Sequence, residues 1–269
     1  MLVIRGWRRV TEVLAVRWHT RGDVRVEEVP PPAPPGPGEV QLRVTWCGIC
    51  GTDLEEWLSG PVFIPAAVPH PLTGARAPLI LGHEFAGVVV AAGAGVTGPL
   101  PGQRVAVDTI VSCGSCHWCR RGEVTRCPAL GALGLHADGG LAELCNAPAR
   151  MCLPVPDTVA DDAAALAEPL AVAVRALRRG GLRPGERVAV VGAGTVGLMT
   201  VQAAAALGSL SHVWDQDFRE ALQLLGGGAV QAATLITDRI PLGAAVAGGL
   251  ALLRDEPERH LKILAGQAG

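Results

Sequence analysis

Four cysteines, Cys113, Cys116, Cys119 and Cys127, lie in the run Cys-Gly-Ser-Cys-His-Trp-Cys followed after a short gap by the fourth. Three thiols spaced by two residues, with a fourth close behind, can converge on one ion. Thiolates in tetrahedral array suit zinc, and a closed four-sulfur site leaves no position for substrate, so its work is structural. The same spacing opens the ferredoxin pattern, and Pro128 follows Cys127 as it does there. The last gap is longer than in that pattern, and no second cysteine run exists to hold a partner cluster. A disulfide framework fits less well. Only 8 of 269 residues are cysteine, and the first dozen residues lack the apolar core and small-residue cleavage site of a signal peptide, which points to a reducing, cytoplasmic setting.

Chemistry must then be sought elsewhere. Cys50 sits in Gly48-Ile-Cys-Gly-Thr-Asp53, and His83 with Glu84 sits in Leu81-Gly-His-Glu-Phe-Ala-Gly87. A thiolate, an imidazole and a carboxylate are the side chains that a catalytic zinc uses while keeping one position open. Asp53 is a candidate acceptor for the ring N–H of His83, which would set the nitrogen that faces the metal. Further on, Gly192-Ala-Gly-Thr-Val-Gly197 follows the β-branched run Val188-Ala-Val-Val191. A strand turning through Gly192, Gly194, Thr195, Val196 and Gly197 into a helix can set a pyrophosphate against backbone N–H groups at the helix start. That fingerprint is unspecific without an acid about 20 residues on, where a ribose is held. Asp215 and Asp217 stand at that distance, and Asp215 in the ribose position favours NAD over NADP by repelling a 2′-phosphate. Cys47, Cys145 and Cys152 read as core thiols, and His117, His136 and His212 carry no usable pattern.

These residues need elements to hold them. Residues 13–29 alternate like two short strands, a proline-rich joint covers 30–38, and Val40–Thr45 reads as a further strand. Short apolar runs at Ala86–Ala92 and Arg104–Val107, punctuated by glycine and proline, have the habit of an all-β barrel-like module. Residues 161–179 begin with acids and end with bases before Gly180-Gly181, so one capped helix is expected, bent by Pro169. A strand at 187–191, the glycine turn and a helix over 195–207 open a parallel βαβ unit. Beyond Gly208 the rhythm stops, and too few residues remain for a full doubly wound sheet. Val188 to Leu210 is uncharged and long enough to cross a bilayer, which takes about 20 residues, but its glycines fit a buried strand and turn better. The formal charge is -2 and the apolar share 49%. No basic stripe is present, so nucleic acid and membrane give way to a small-molecule partner.

Together these motifs resemble the zinc-containing medium-chain alcohol and polyol dehydrogenases, and within them the 2,3-butanediol dehydrogenases. The resemblance rests on Cys47-Gly-Ile-Cys-Gly-Thr-Asp-Leu-Glu-Glu-Trp57, Gly60-Pro-Val-Phe-Ile-Pro65 and His70-Pro-Leu-Thr-Gly74. It covers Leu14 to Leu207, and Leu235 to Gly266 looks like the family's C-terminal return. It implies a GroES-like β-barrel catalytic domain over 13–158, a truncated Rossmann-type parallel α/β domain over 159–234, and a return to the catalytic domain over 235–269. Cys50, His83 and Glu168 become ligands of a catalytic zinc, Glu84 a carboxylate that stands behind the ligands or exchanges with them, and Thr52 the hydroxyl that passes the substrate proton outward. Cys113, Cys116, Cys119 and Cys127 hold the structural zinc. The implied reaction passes hydride from a secondary alcohol or vicinal diol to NAD or NADP, in a family-type homo-oligomer built through edge strands of the nucleotide sheet. The segment Ser209 to Glu220 resembles the family's sequence after those strands, so a block is missing near Gly208 to Leu210. A zinc-binding remnant that cannot bind NAD is therefore the competing expectation.

Overall fold

The structure, a computed structural model, describes residues 11–207 and 217–267. The first half runs β1 (Val13–Thr20), β2 (Asp23–Val29), β3 (Glu39–Ile49), α1 (Gly51–Ser59), β4 (Leu79–Ile80), β5 (Glu84–Ala92), β6 (Arg104–Val107), β7 (Ile110–Val111), α2 (His117–Arg120), β8 (Gly131–Ala132), β9 (Leu144–Pro148) and β10 (Cys152–Pro154). The second half is α3 (Asp161–Ala164), α4 (Ala167–Arg179), α5 (Thr195–Leu207), α6 (Asp217–Gly226), α7 (Ala232–Leu235), β11 (Asp238–Pro241), α8 (Ala251–Asp255) and β12 (Ile263–Gly266).

The largest sheet has the order β10-β6-β5-β3-β12-β11, with β9 also paired to β3. Its ladders are antiparallel except β11 with β12. A second sheet, β2-β1-β4, faces it, and Val16, Trp18, Leu42, Phe85, Val105 and Leu141 fill the space between them. β1 is covered on both faces: Val16 and Trp18 enter this space, while Val13 and Ala15 pack with Val29, Ala142 and Leu144. β3 continues past the expected Thr45 to Ile49, since β5 and β12 both pair with its last residues. That extension carries the backbone up to Cys50.

A second core lies on the other side of β5, β6 and β12. Leu170 and Val174 of α4, Met199 and Ala203 of α5, and Ala221 and Leu222 of α6 pack toward Ala86, Ala106 and Leu264. The helix expected over 161–179 is two helices, interrupted at 165–166. Because α4 restarts at Ala167, Pro169 falls in its first turn, where the missing N–H has no helical partner to lose.

The expected strand at 187–191 does not form: among the described residues it joins no ladder, and Val188 is 47% and Val191 100% exposed. A β-branched run favours extended backbone but needs neighbours to take its N–H and C=O groups. The described strands are committed to the two sheets above and to a small β7-β8 pair. The helix predicted over 195–207 is present at those bounds as α5. His212, Asp215 and the junction near Gly208 lie outside the described residues. No helix among the described residues is long and apolar enough to cross a membrane.

Candidate active site

Three elements meet where β3 ends. The chain leaves Ile49, turns at Cys50 and enters α1, with Cys50 as its N-cap residue. The Cys50 N–H donates to Asp53 Oδ2 at 2.9 Å, which closes the first turn. Asp53 is fully buried, and its other oxygen lies 3.6 Å from His83 Nδ1. That is too long for a hydrogen bond, and both atoms are buried without another partner. The expected Asp53–His83 hydrogen bond is thus not made, although the two atoms face each other at 3.6 Å. Thr52 Oγ1 lies 3.7 Å from Cys50 Sγ.

His83 is delivered by the turn before β5. Gly82 there has φ +96, and a Cβ on it would come within 2.6 Å of Leu141 N and 2.7 Å of Cys47 Sγ. Only glycine satisfies both the backbone angle and the close approach. Glu84, first residue of β5, pairs with Gly48 of β3. A Cβ on Gly48 would stand 2.1 Å from Glu84 Oε2, so the carboxylate lies over a bare backbone. Donor atoms of Cys50, His83 and Glu84 all come within 4.8 Å of one another. One sulfur, one nitrogen and one carboxylate oxygen form the donor set of an open zinc site.

Glu168 is not in that close group. It stands in the first turn of α4, near enough for its charge to be felt. Burial, joined by the Glu84 carboxylate, pushes its carboxyl up to about 7 against the pull of His83 and Lys262. For His83, burial opposes the charged ring, but Asp53, Cys50 and Glu84 outweigh it and push the imidazole up to about 10.

The sequence reading missed Lys262. Its side chain is buried just before β12, and Nζ donates to Glu84 Oε1 at 2.9 Å, Glu84 Oε2 at 2.7 Å and the Ile49 carbonyl at 3.3 Å. Burial favours a neutral amine, yet Glu84 foremost holds its pKa above the ordinary lysine value. A signal was available: Lys262 is the chain's single lysine, in the otherwise apolar run Leu261-Lys-Ile-Leu-Ala265. A charge at such a place calls for a buried partner.

The four remaining metal-type cysteines form a separate lobe between β7 and β8. Their sulfurs also lie within 4.8 Å of one another. Backbone N–H groups point at the sulfurs: Cys116 N at Cys113 Sγ, 3.3 Å; Cys119 N at Cys116 Sγ, 3.4 Å; and Cys113 N at Cys127 Sγ, 3.5 Å. Such donors favour thiolate. The N–H groups of Ser115 and Cys116 bring Cys113 down to about 6, whereas burial raises Cys119 to about 11.

At the glycine turn, Gly192 has φ +108, and a Cβ on Gly197 would meet the Gly192 carbonyl oxygen at 2.0 Å. The first turn of α5 therefore sits directly on the Gly192 peptide. Gly194 has open space around it, Val196 is exposed, and Thr195 Oγ1 donates to the Leu261 carbonyl at 2.5 Å. Asp217 opens α6 and is taken by Arg175 and Arg178 of α4, whereas Asp215 lies outside the described residues.

Residues 36–157 match the Alcohol dehydrogenase GroES-like domain family. The (R,R)-butanediol dehydrogenase of Bacillus subtilis is 40% identical over 196 residues, 72% of this chain and 55% of that protein. Human sorbitol dehydrogenase is 36% identical over 198 residues, 72% of this chain and 52% of that protein. The chain thus spans about half the length of the curated relatives it matches. The crystal structure of 2R,3R-butanediol dehydrogenase from Bacillus subtilis superposes with a TM-score of 0.86 at 28% identity, covering 95% of this chain and 100% of that one. With the GroES-like module, the paired metal-type clusters and these relatives in agreement, the chain belongs to the zinc-type medium-chain alcohol and polyol dehydrogenases.

Proposed function

We propose that this chain is a zinc-dependent dehydrogenase that takes hydride from a secondary alcohol or vicinal diol, of the 2,3-butanediol kind, and gives it to NAD or NADP. The observation that carries the reading is the convergence of Cys50, His83 and Glu84 beside a half-buried Glu168. Cys50 and His83, with Glu168 or Glu84 as the third group, would hold a catalytic zinc, and Cys113, Cys116, Cys119 and Cys127 a structural one. When bound, the catalytic zinc supplies a Lewis acid that lowers the pKa of the substrate hydroxyl.

The protein's own residues do the rest. Asp53 faces Nδ1 of the His83 ring from behind and favours the other nitrogen as the one turned to the metal. The Thr52 hydroxyl, partly exposed and next to Cys50 Sγ, accepts the substrate proton and passes it toward solvent. The turn Gly192–Gly197 would receive the cofactor pyrophosphate at the α5 N-terminus, with Asp215 on the ribose and NAD favoured over NADP. Residues 13–158 form the catalytic unit, 159–234 the shortened nucleotide unit, and 235–269 return to the first.

Calorimetric titration of the zinc-replete protein with NADH tests this. One-site saturable binding is expected, followed by diol oxidation that disappears in Cys50→Ala. A folded, zinc-loaded protein that gives no heat with NADH would overturn the dehydrogenase reading and leave a zinc-binding remnant.

A further inference from the structure

Helix α5 carries two threonines, and their hydroxyls go to different places. Thr200 Oγ1 turns back on its own helix and donates to the Val196 carbonyl at 2.7 Å, the local bond open to any helical threonine. Thr195 Oγ1, on the first residue of α5, crosses instead to the Leu261 carbonyl at 2.5 Å, 66 residues away in the chain. Leu261 is held from a second side. Its N–H donates to Thr237 Oγ1 at 3.2 Å, while the Thr237 N–H donates to the Lys262 carbonyl at 3.0 Å. The next side chain, Lys262, reaches both oxygens of Glu84 and the carbonyl of Ile49, the residue before Cys50.

A continuous run of close contacts therefore joins the glycine turn to the cluster of Cys50, His83 and Glu84. At one end, a Cβ on Gly197 would stand 2.0 Å from the Gly192 carbonyl oxygen, so the turn and the first turn of α5 shift together. At the other, Lys262 and Glu84 are both buried, and separating such a pair is costly. Between them, Met199 and Ala203 of α5 share a core with Leu264 of β12. Apolar packing is non-directional and leaves the register of helix against strand open; a hydrogen bond is directional and fixes it. We propose that Thr195 is a positioning residue whose hydroxyl holds the glycine turn in register with the segment carrying Lys262, and thereby sets the distance from a dinucleotide in the turn to a substrate beside Cys50 and His83. The inference rests on the reading of the turn as a dinucleotide site. With its one hydrogen on Leu261, the hydroxyl has none to offer a phosphate, so backbone N–H groups receive the anion. Loss of the tie is expected to harm hydride transfer more than cofactor binding, because an error of about 1 Å between reacting atoms costs on the order of a hundredfold in rate.

The test compares the full zinc-loaded chain with Thr195→Val, which keeps the shape and removes the hydroxyl, and Thr195→Ser, which keeps the hydroxyl. Three quantities are read: deuterium exchange at the Leu261 amide, the Kd of NADH by calorimetry, and the single-turnover rate of NADH formation from 2,3-butanediol at saturating NAD. In Thr195→Val the Leu261 amide is expected to exchange about fivefold faster or more, as for the loss of one hydrogen bond. The single-turnover rate falls by about tenfold to a hundredfold, while the NADH Kd stays close to wild type, and Thr195→Ser restores both rate and protection. Wild-type exchange and turnover in Thr195→Val overturn the proposal. Faster exchange with an unchanged rate makes the bond structural only and overturns it too. A Kd that weakens in step with the rate makes Thr195 a phosphate contact and likewise overturns it. If Thr195→Val does not fold, Thr195→Ala decides by the same readings. A wild-type protein that binds no NADH removes the dehydrogenase reading itself, and the role of Thr195 with it.

Discussion

Helix α1 buries two carboxylates on one face, three residues apart, and each organises a different neighbour. Asp53 caps Cys50 and faces His83. Glu56, also fully buried, accepts N–H groups from Val62, Phe63 and Ile64, and its carbonyl accepts from Trp18 Nε1 at 2.8 Å. Three backbone donors converging on one carboxylate form a nest that fixes the turn after α1. Truncating that side chain leaves all three without this acceptor, and the Ile64 N–H is buried. Glu56→Ala is therefore expected to lose about 2 to 4 kcal/mol in urea unfolding at fixed zinc, with Glu56→Gln losing less. Equal stability for Glu56→Ala and wild type would show that water replaces the carboxylate. Gly82→Ala belongs to the same scale, since its Cβ would strike the Leu141 backbone. A loss of about 3 kcal/mol or more is expected, together with release of zinc from the Cys50 site.

Among the elements, the cysteine lobe and helix α4 are held by opposite means. Of the four lobe cysteines only Cys127 is buried, and α2 has no buried residue. Little apolar packing is available there, so the proposed metal on the four thiolates would supply the order. Chelation of the structural ion is expected to open Arg120, Arg121 and Arg126, all exposed, to trypsin before any cut appears in the β-core. Simultaneous loss of lobe and core would instead place the lobe within the main folding unit. Helix α4, in contrast, inserts Leu170 and Val174 completely into the second core. Leu170→Ala should cost about 2 to 5 kcal/mol from lost burial and the cavity left behind, read as a lower urea midpoint.

At the scale of the whole molecule, two cores share one large sheet, and the region around the glycine turn stands at the margin of the second. The run 187–191 has the composition of a buried parallel strand and the exposure of a loop. Its amides should exchange with deuterium within seconds, while β3, flanked by β5, β9 and β12, stays protected far longer. Addition of NADH is expected to slow exchange at 192–197. Protection of 187–191 in the free protein would mean that this run finds a strand partner in solution.

Local chemistry was legible in the chain because it depends on residue type and short spacing. The four-cysteine cluster, the strands of the β module and the bounds of α5 could be read from periodicity, turn residues and cysteine intervals, whereas Cys50 and His83, far apart in the chain, were paired by residue type and family resemblance. The missing strand at 187–191 could not, because β-structure depends on partners supplied from elsewhere and propensity says nothing about whether they exist. Lys262 was hidden for a related reason. It lies far along the chain from Glu84, and only the docking of β12 against β3, itself paired with β5, carries the ammonium to the carboxylate. What the sequence determined by itself is which donors are present and which of them can meet across a turn. What tertiary structure alone decided is which charge is buried against which, since the cost of burying an ion is settled by neighbours brought together in space and not by neighbours in sequence.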